Sequence, residues 1–203
     1  MWKQIAPAFR ITLLFTVLTG LIYPGVITGL CQLLLNDKAN GSLVSVNGQV
    51  VGSSLLGQKF SRPEYFHSRL SAAGDGYDAA NSGGTNLGPT SQKLIDRVKA
   101  DAVKFHQENP KYTGTIPADA LTTSASGLDP DISPAFAAAQ IARVAGARGV
   151  SPAQAEAIVR EHTQGRQLGF LGEPRVNVLL VNLDLDQQAP YAAPKAASAP
   201  PSQ

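Results

Sequence analysis

Cysteine is nearly absent: the 203-residue chain holds one, Cys31. A lone thiol excludes an intrachain disulfide framework and any cysteine-rich zinc site. Histidine is almost as scarce. His67, His106 and His162 lie far apart in sequence, with no His-x-x-x-His pair to seed a metal centre. Charged residues make up only 16%, against about 25% in ordinary soluble domains. That excludes a coiled coil, a charge-rich disordered chain and a polybasic nucleic-acid binder. The net charge of +2 sits in the first ten residues, on Lys3 and Arg10. From residue 36 onward 15 basic and 15 acidic side chains cancel, so nothing draws that part to DNA, RNA or anionic lipid.

Catalytic signatures are missing as well. No Gly-x-Ser-x-Gly elbow occurs; Ser124-Ala-Ser126-Gly127 supplies half of one without a strand before it. The closest run to a phosphate loop is Gly52-Ser-Ser-Leu-Leu-Gly57-Gln58-Lys59. It puts Gln58 where lysine is needed, with no hydroxyl after it for magnesium. The loop before Gln92 leads into a helix N-terminus, which loop-to-helix geometry explains without an anion. Asp129 and Asp131 flank Pro130, and turn or capping chemistry before Ser133 accounts for them better than acid–base catalysis.

What the chain does have is one long apolar run. Ile11 to Leu35 carries no charged side chain over 25 residues. As a helix it spans about 37 Å, enough for a hydrocarbon core of about 30 Å. The competing reading is a secretory signal peptide, but the run exceeds the usual apolar stretch of about 7–15 residues and lacks a small-x-small cleavage site. A lipoprotein site at Cys31 is unconvincing, because Leu30 is bulky; a buried, inert thiol is expected. Lys3 and Arg10 precede the run, whereas Asp37 and Lys38 after it cancel. The positive-inside rule then places the N-terminus in the cytoplasm and the rest outside. Pro24 removes a backbone donor and predicts a kink. Gly20, Gly25 and Gly29 offer small-residue positions where another helix packs closely.

Beyond the run, Ser42–Val46, Asn47-Gly48 and Gln49–Val51 read as a hairpin, since Asn-Gly tolerates the positive φ of a two-residue turn. Phe60–Ser68 is a second strand region, interrupted by Pro63. Ser71–Ser91 is a long glycine-rich loop, a length that marks a functional or mobile segment. Apolar spacing predicts a helix over 92–107, capped by Thr90 or Ser91. Ser133-Pro134 opens a helix that Gly149 closes. Ser151-Pro152, with Gln154 in a capping box, opens another that Gly165 closes. Arg175–Leu185 alternates and reads as a strand. The expected architecture is a single N-terminal transmembrane helix plus one mixed α/β (α+β) extracytoplasmic domain. Its divisions are a cytoplasmic N-terminus over 1–10, the transmembrane helix over 11–35, the domain over 36–186 and a disordered Pro/Ala-rich tail over 187–203.

Several motifs, in shared order, carry a resemblance over about residues 11–186. They are Gly20-Leu-Ile-Tyr-Pro24, Ala39-Asn-Gly-Ser42, Val51-Gly52-Ser53 with Gly57-Gln58, and Tyr65-Phe66 with Arg69, Ser71 and Ala72. Then follow Ser82-Gly-Gly-Thr-Asn-Leu-Gly-Pro89, Ser126-Gly-Leu-Asp-Pro130 with Ile132-Ser133, Arg143-Val-Ala145 with Ala147-Arg148, and Leu171-Gly-Glu-Pro-Arg-Val-Asn-Val178. Together they resemble the KdpC family of the bacterial potassium-transporting P-type ATPase complex. Leu70, Ala125 and Asp131 depart from residues usual in that family.

The resemblance implies a non-catalytic accessory subunit of an ATP-driven potassium importer. Its partners would be the channel-like KdpA, the ATP-hydrolysing KdpB and the small KdpF, besides the bilayer. It also implies a catalytic chaperone that raises the ATP affinity of KdpB. ATP is then used by that partner, and no cofactor binds this chain directly. No catalytic or metal residue is assigned. Gly20, Pro24, Gly25 and Gly29 are the expected helix-packing residues. Tyr65, Phe66, His67, Arg69, Ser82, Gly83, Gly84, Asn86 and Asp129 are the expected partner contacts. Two other readings stay open. One is an anchored extracytoplasmic hydrolase using Ser124 or Ser126 with His67 or His162; the other is a nucleotide-binding protein of opposite topology.

Overall fold

The computed structural model describes residues 2–191. Residues 192–203, most of the expected disordered tail, lie outside the described residues. The chain divides into two units after Ser53. The first opens with a single helix over Trp2–Leu34, long and apolar enough to cross a membrane. It comprises α1 (Trp2–Val17), a π-helical turn (Leu18–Ile22) and α2 (Tyr23–Leu34). Helix therefore begins ahead of Ile11, and Lys3 and Arg10 ride on it.

Pro24 has no N–H for the carbonyl four residues back. The helix accommodates it by widening just upstream, where Tyr23 N–H reaches the Leu18 carbonyl; a π turn is a known device for this. No residue of α1 or α2 is buried within the chain, and Cys31, expected to be buried, is half-exposed. A short α3 (Asn36–Ala39) follows. Next, β1 (Leu43–Val46) and β2 (Gln49–Ser53) pair antiparallel around Asn47 and Gly48. These two have φ of 51° and 78°, which is the type I′ requirement. The hairpin groups with the helix rather than with the rest of the 36–186 segment.

The second unit contains α4 (Gln92–Glu108), α5 (Ala118–Leu121), β3 (Asp131–Ile132), α6 (Pro134–Arg148) and α7 (Pro152–Glu161). It ends with β4 (Thr163–Gln164), β5 (Arg175–Asn177) and α8 (Val178–Gln188). The three strands form an antiparallel sheet in the order β3-β5-β4. Its core joins Phe66, Phe105, Phe136, Val144, Ile158, Val176, Val181 and Leu185. The Ser133 side chain accepts from Phe136 N–H to open α6, and Gly149 closes it at φ 70°. Ser151 does the same for α7 through Gln154 N–H. Ser91 precedes α4 but makes no such side-chain bond.

Four expectations are corrected. Only Arg175–Asn177 of the last predicted strand is extended. Asn177 then caps a helix by accepting from Leu180 N–H at 3.1 Å. Val178, Val181, Asn182 and Leu185 are all buried on its inner side, and that spacing has a helical period. Helix α7 stops at Glu161 rather than near Gly165, because Thr163 and Gln164 leave it to pair with β5. Phe60–Ser68 forms no strand. Finally, the folded part runs past residue 186: α8 continues to Gln188 and Ala189 is buried.

Candidate partner-docking surface

Phe60–Ser68 resembles a strand because its backbone groups are paired, but side chains do the pairing. Asn182, on α8, accepts from Phe66 N–H at 2.8 Å and donates to its carbonyl at 2.9 Å. Gln140, on α6, treats His67 the same way, at 2.7 and 3.2 Å. The Arg143 guanidinium donates to the carbonyls of Pro63 and Tyr65, and Arg148 to that of Glu64. Proline has no N–H and cannot run a strand ladder. Buried amide and guanidinium groups satisfy this backbone instead.

The same clamp shapes the surface above it. Phe66 is wholly buried, so the expected partner contact at that residue is corrected: its ring belongs to the core. Tyr65 is half-buried and its hydroxyl donates to Asp186 at 3.0 Å. Burial, then the Asp186 carboxylate, pushes its phenol above the usual value. Arg148 stacks over the Tyr65 ring at 5.0 Å and donates to Asp186 at 2.8 Å. It also caps the end of α8 through the Leu185 and Ala189 carbonyls. His67 meets the Arg62 carbonyl through Nε2 at 3.1 Å and Glu108 through Nδ1 at 3.4 Å. Burial, with the Arg143 charge, holds its imidazole below the usual pKa.

Arg69 ties the second half of the expected surface together. It pairs with Asp129 at 2.7 Å, and Tyr77 donates its hydroxyl to the Arg69 carbonyl. Burial pushes the Tyr77 phenol up to about 12. The glycine-rich loop is fastened to the segment before β3. Ser71 donates to the Gly127 carbonyl at 2.6 Å, and Gly83 N–H and the Ser82 hydroxyl reach the Ser126 carbonyl at 2.8 and 3.0 Å. A Cβ on Gly84 would stand 3.0 Å from the Ala125 carbonyl oxygen. Ser82 and Asn86 remain exposed, while Gly83 and Gly84 are half-covered. Gly57 has a packing role: a Cβ there would stand 2.4 Å from the Asp129 carbonyl oxygen.

Between these parts lies a cleft of about 270 Å³ lined by Lys59, His67, Arg69, Tyr77, Asp101 and Lys104 among others. Its three cations face three acids, the last two being Asp75 and Glu108 beside Asp101. No excess charge is left for a phosphate. Among the described residues, no cluster of three or more His, Cys, Asp or Glu stands ready for a metal. Ser126 accepts from Leu128 N–H and His162 pairs with Asp184 at 2.9 Å. Among the described residues, no hydrogen bond links Ser124 or Ser126 to His67 or His162. In the membrane-length helix, a Cβ on Gly20, Gly25 or Gly29 would meet nothing within 4 Å.

Sequence reasoning missed the clamp. Gln140, Arg143, Arg148 and Asn182 are polar residues inside otherwise apolar helical faces. That pattern was the available signal, since buried polar groups need partners. It also missed Asp119, which accepts from both the Ser133 N–H and its hydroxyl.

The family model "KdpC: K+-transporting ATPase, c chain" matches residues 5–187. A potassium-transporting ATPase KdpC subunit of Koribacter versatilis is 57% identical, covering 96% of this chain and all of that protein. Those of Beijerinckia indica and Gemmatimonas aurantiaca are 53% and 54% identical, over 96% and 92% of this chain and 98% and 94% of theirs. With the clamp, the sheet and nearly all of the helix inside the matched span, the chain belongs to the KdpC family, the c chain of K+-transporting ATPases.

Proposed function

We propose that this chain is a non-catalytic accessory subunit of an ATP-driven potassium importer. It assembles or stabilises a complex with the channel-like KdpA, the ATP-hydrolysing KdpB and the small KdpF. The observation that carries this reading is the family match across residues 5–187, nearly all of the folded span. The helix over Trp2–Leu34 serves as the single-pass anchor, packing on KdpA or KdpB through Gly20, Gly25 and Gly29 next to Pro24. The charge asymmetry about the run supports a cytoplasmic N-terminus and an extracytoplasmic folded part in the inner membrane. That part caps the channel-like subunit. Tyr65, His67, Arg69, Asp129 and the loop holding Ser82, Gly83, Gly84 and Asn86 supply polar contacts.

The chain acts as a catalytic chaperone without touching ATP. ATP lies in the cytoplasm, the folded part lies outside, and the sequence offers no phosphate loop. Its effect on the ATP affinity of KdpB therefore travels through the membrane subunits. Steady-state ATP hydrolysis by the purified complex, with this chain and after its removal, tests the role. The expected result is a higher KM for ATP once the chain is gone, while the chain alone hydrolyses nothing. An unchanged KM overturns the chaperone role. A C-terminal reporter active only in the cytoplasm, if active here, overturns the orientation.

A further inference from the structure

The loop between β4 and β5 carries side chains that neither the family motifs nor the clamp account for. Its ten residues, Gly165-Arg-Gln-Leu-Gly-Phe-Leu-Gly-Glu-Pro174, join two paired strands of the sheet. Leu168 is 83% exposed and Phe170 70% exposed. Most exposed apolar residues of the chain lie on the membrane-length helix; these two stand at the tip of a soluble hairpin.

The tip is built to hold them there. Gln167 and Leu171 exchange both backbone hydrogen bonds at 2.9 Å. Leu168 adopts φ 53°, with Gly169 at 81° and Gly172 at 75°. A left-handed backbone at a leucine costs free energy and persists only where surrounding structure enforces it. Arg166 closes the base by reaching both carboxylate oxygens of Glu173, at 2.7 and 2.9 Å. The strand that follows is the central one of its sheet, and its Val176 is fully buried.

We propose that this tip is a preformed anchor whose Leu168 and Phe170 insert into an apolar pocket on another protein chain of the transport complex. Two features favour a protein pocket over a lipid surface. The only charges of the loop, Arg166 and Glu173, neutralise each other, whereas interfacial segments add cations for lipid headgroups. Fixing the backbone in advance also removes ordering cost for a shaped partner, and a fluid bilayer needs no such shape. Aromatic side chains in desolvated pockets are frequent binding anchors. The inference rests on the accessory-subunit reading and names one of its contacts.

The test uses the full chain co-expressed with the transport subunits in native membranes. A photoreactive phenylalanine analogue replaces Phe170, and Phe170→Ser and Leu168→Gly are made separately. The expected results are a covalent adduct between Phe170 and one other subunit, and a roughly fivefold or greater loss of that subunit on purification of either variant. Leu168→Gly separates docking from folding. It relieves the backbone, so the urea midpoint of the chain stays or rises while the partner is lost. If the unaltered chain recovers no subunit, the accessory reading fails and this inference with it. If the unaltered chain and both variants recover the subunit equally, the anchor alone is overturned. Adducts only to lipid or to a second copy of the chain also overturn the anchor alone.

Discussion

At Asn182, one buried side chain satisfies both polar groups of Phe66, a residue 116 positions away in sequence. Asn182 is 1% exposed, so water cannot replace it. Asn182→Leu strands a buried donor and acceptor and should cost roughly 2–4 kcal/mol. Urea unfolding followed by circular dichroism checks this; a change within a few tenths of a kcal/mol would refute the clamp. His67 gives a pH signature. Burial and then Arg143 hold its pKa below the ordinary 6.5, so the native state favours the neutral ring. As pH falls below about 6.5 the unfolded chain takes the proton first, and stability drops. The urea midpoint should fall between pH 7 and 5, and His67→Gln should flatten that fall. Asp131 shifts upward, chiefly through burial, so the native state takes its proton before the unfolded chain does and opposes the trend. The difference between the chain and its His67→Gln variant isolates the histidine.

Among the elements, α6 and α4 start differently. Ser133 holds Phe136 N–H and is itself held by Asp119, whereas Ser91 makes no side-chain cap. Ser133→Ala should therefore cost about 1–2 kcal/mol and Ser91→Ala only a few tenths; equal losses in thermal melts would contradict this. Helices α6 and α7 were legible because Ser-Pro opens a helix in a fixed way, as Asn47-Gly48 turns the hairpin, and α4 because of its apolar spacing. Val176–Leu185 was not. A short apolar run satisfies a period of 2 and of 3.6 at once, and only the Asn177 cap decides between them. Residues 62–68 were unreadable for another reason: their backbone partners are side chains distant in sequence. The geometry around the expected contact residues was only partly legible. Arg69 pairs with Asp129, but Tyr65 and His67 bond Asp186 and Glu108 instead, Phe66 went inward, and Leu168 and Phe170 look like core residues until the tip is seen. In the membrane-length helix, Gly25 and Gly29 have open space around a built Cβ. Gly25→Leu and Gly29→Leu therefore fit the isolated chain. They should still reduce the yield of the assembled complex severalfold on purification, and full yield would count against that helix face.

For the molecule as a whole, chemistry and architecture point the same way. Gln140, Arg148 and Asn182 of the second unit hold irregular backbone, the cleft beside Arg69 balances its own charge, and an apolar helix of 33 residues precedes it in sequence. These features fit the accessory-subunit proposal, in which the chain holds and is held by other subunits. Purification of the full chain from native membranes in mild detergent, with a tag at its C-terminus and identification of what comes with it, tests this most directly. A P-type ATPase subunit should come with it, together with a channel-like subunit, in fixed proportion. Recovery of this chain alone, from cells that make those subunits, would contradict it.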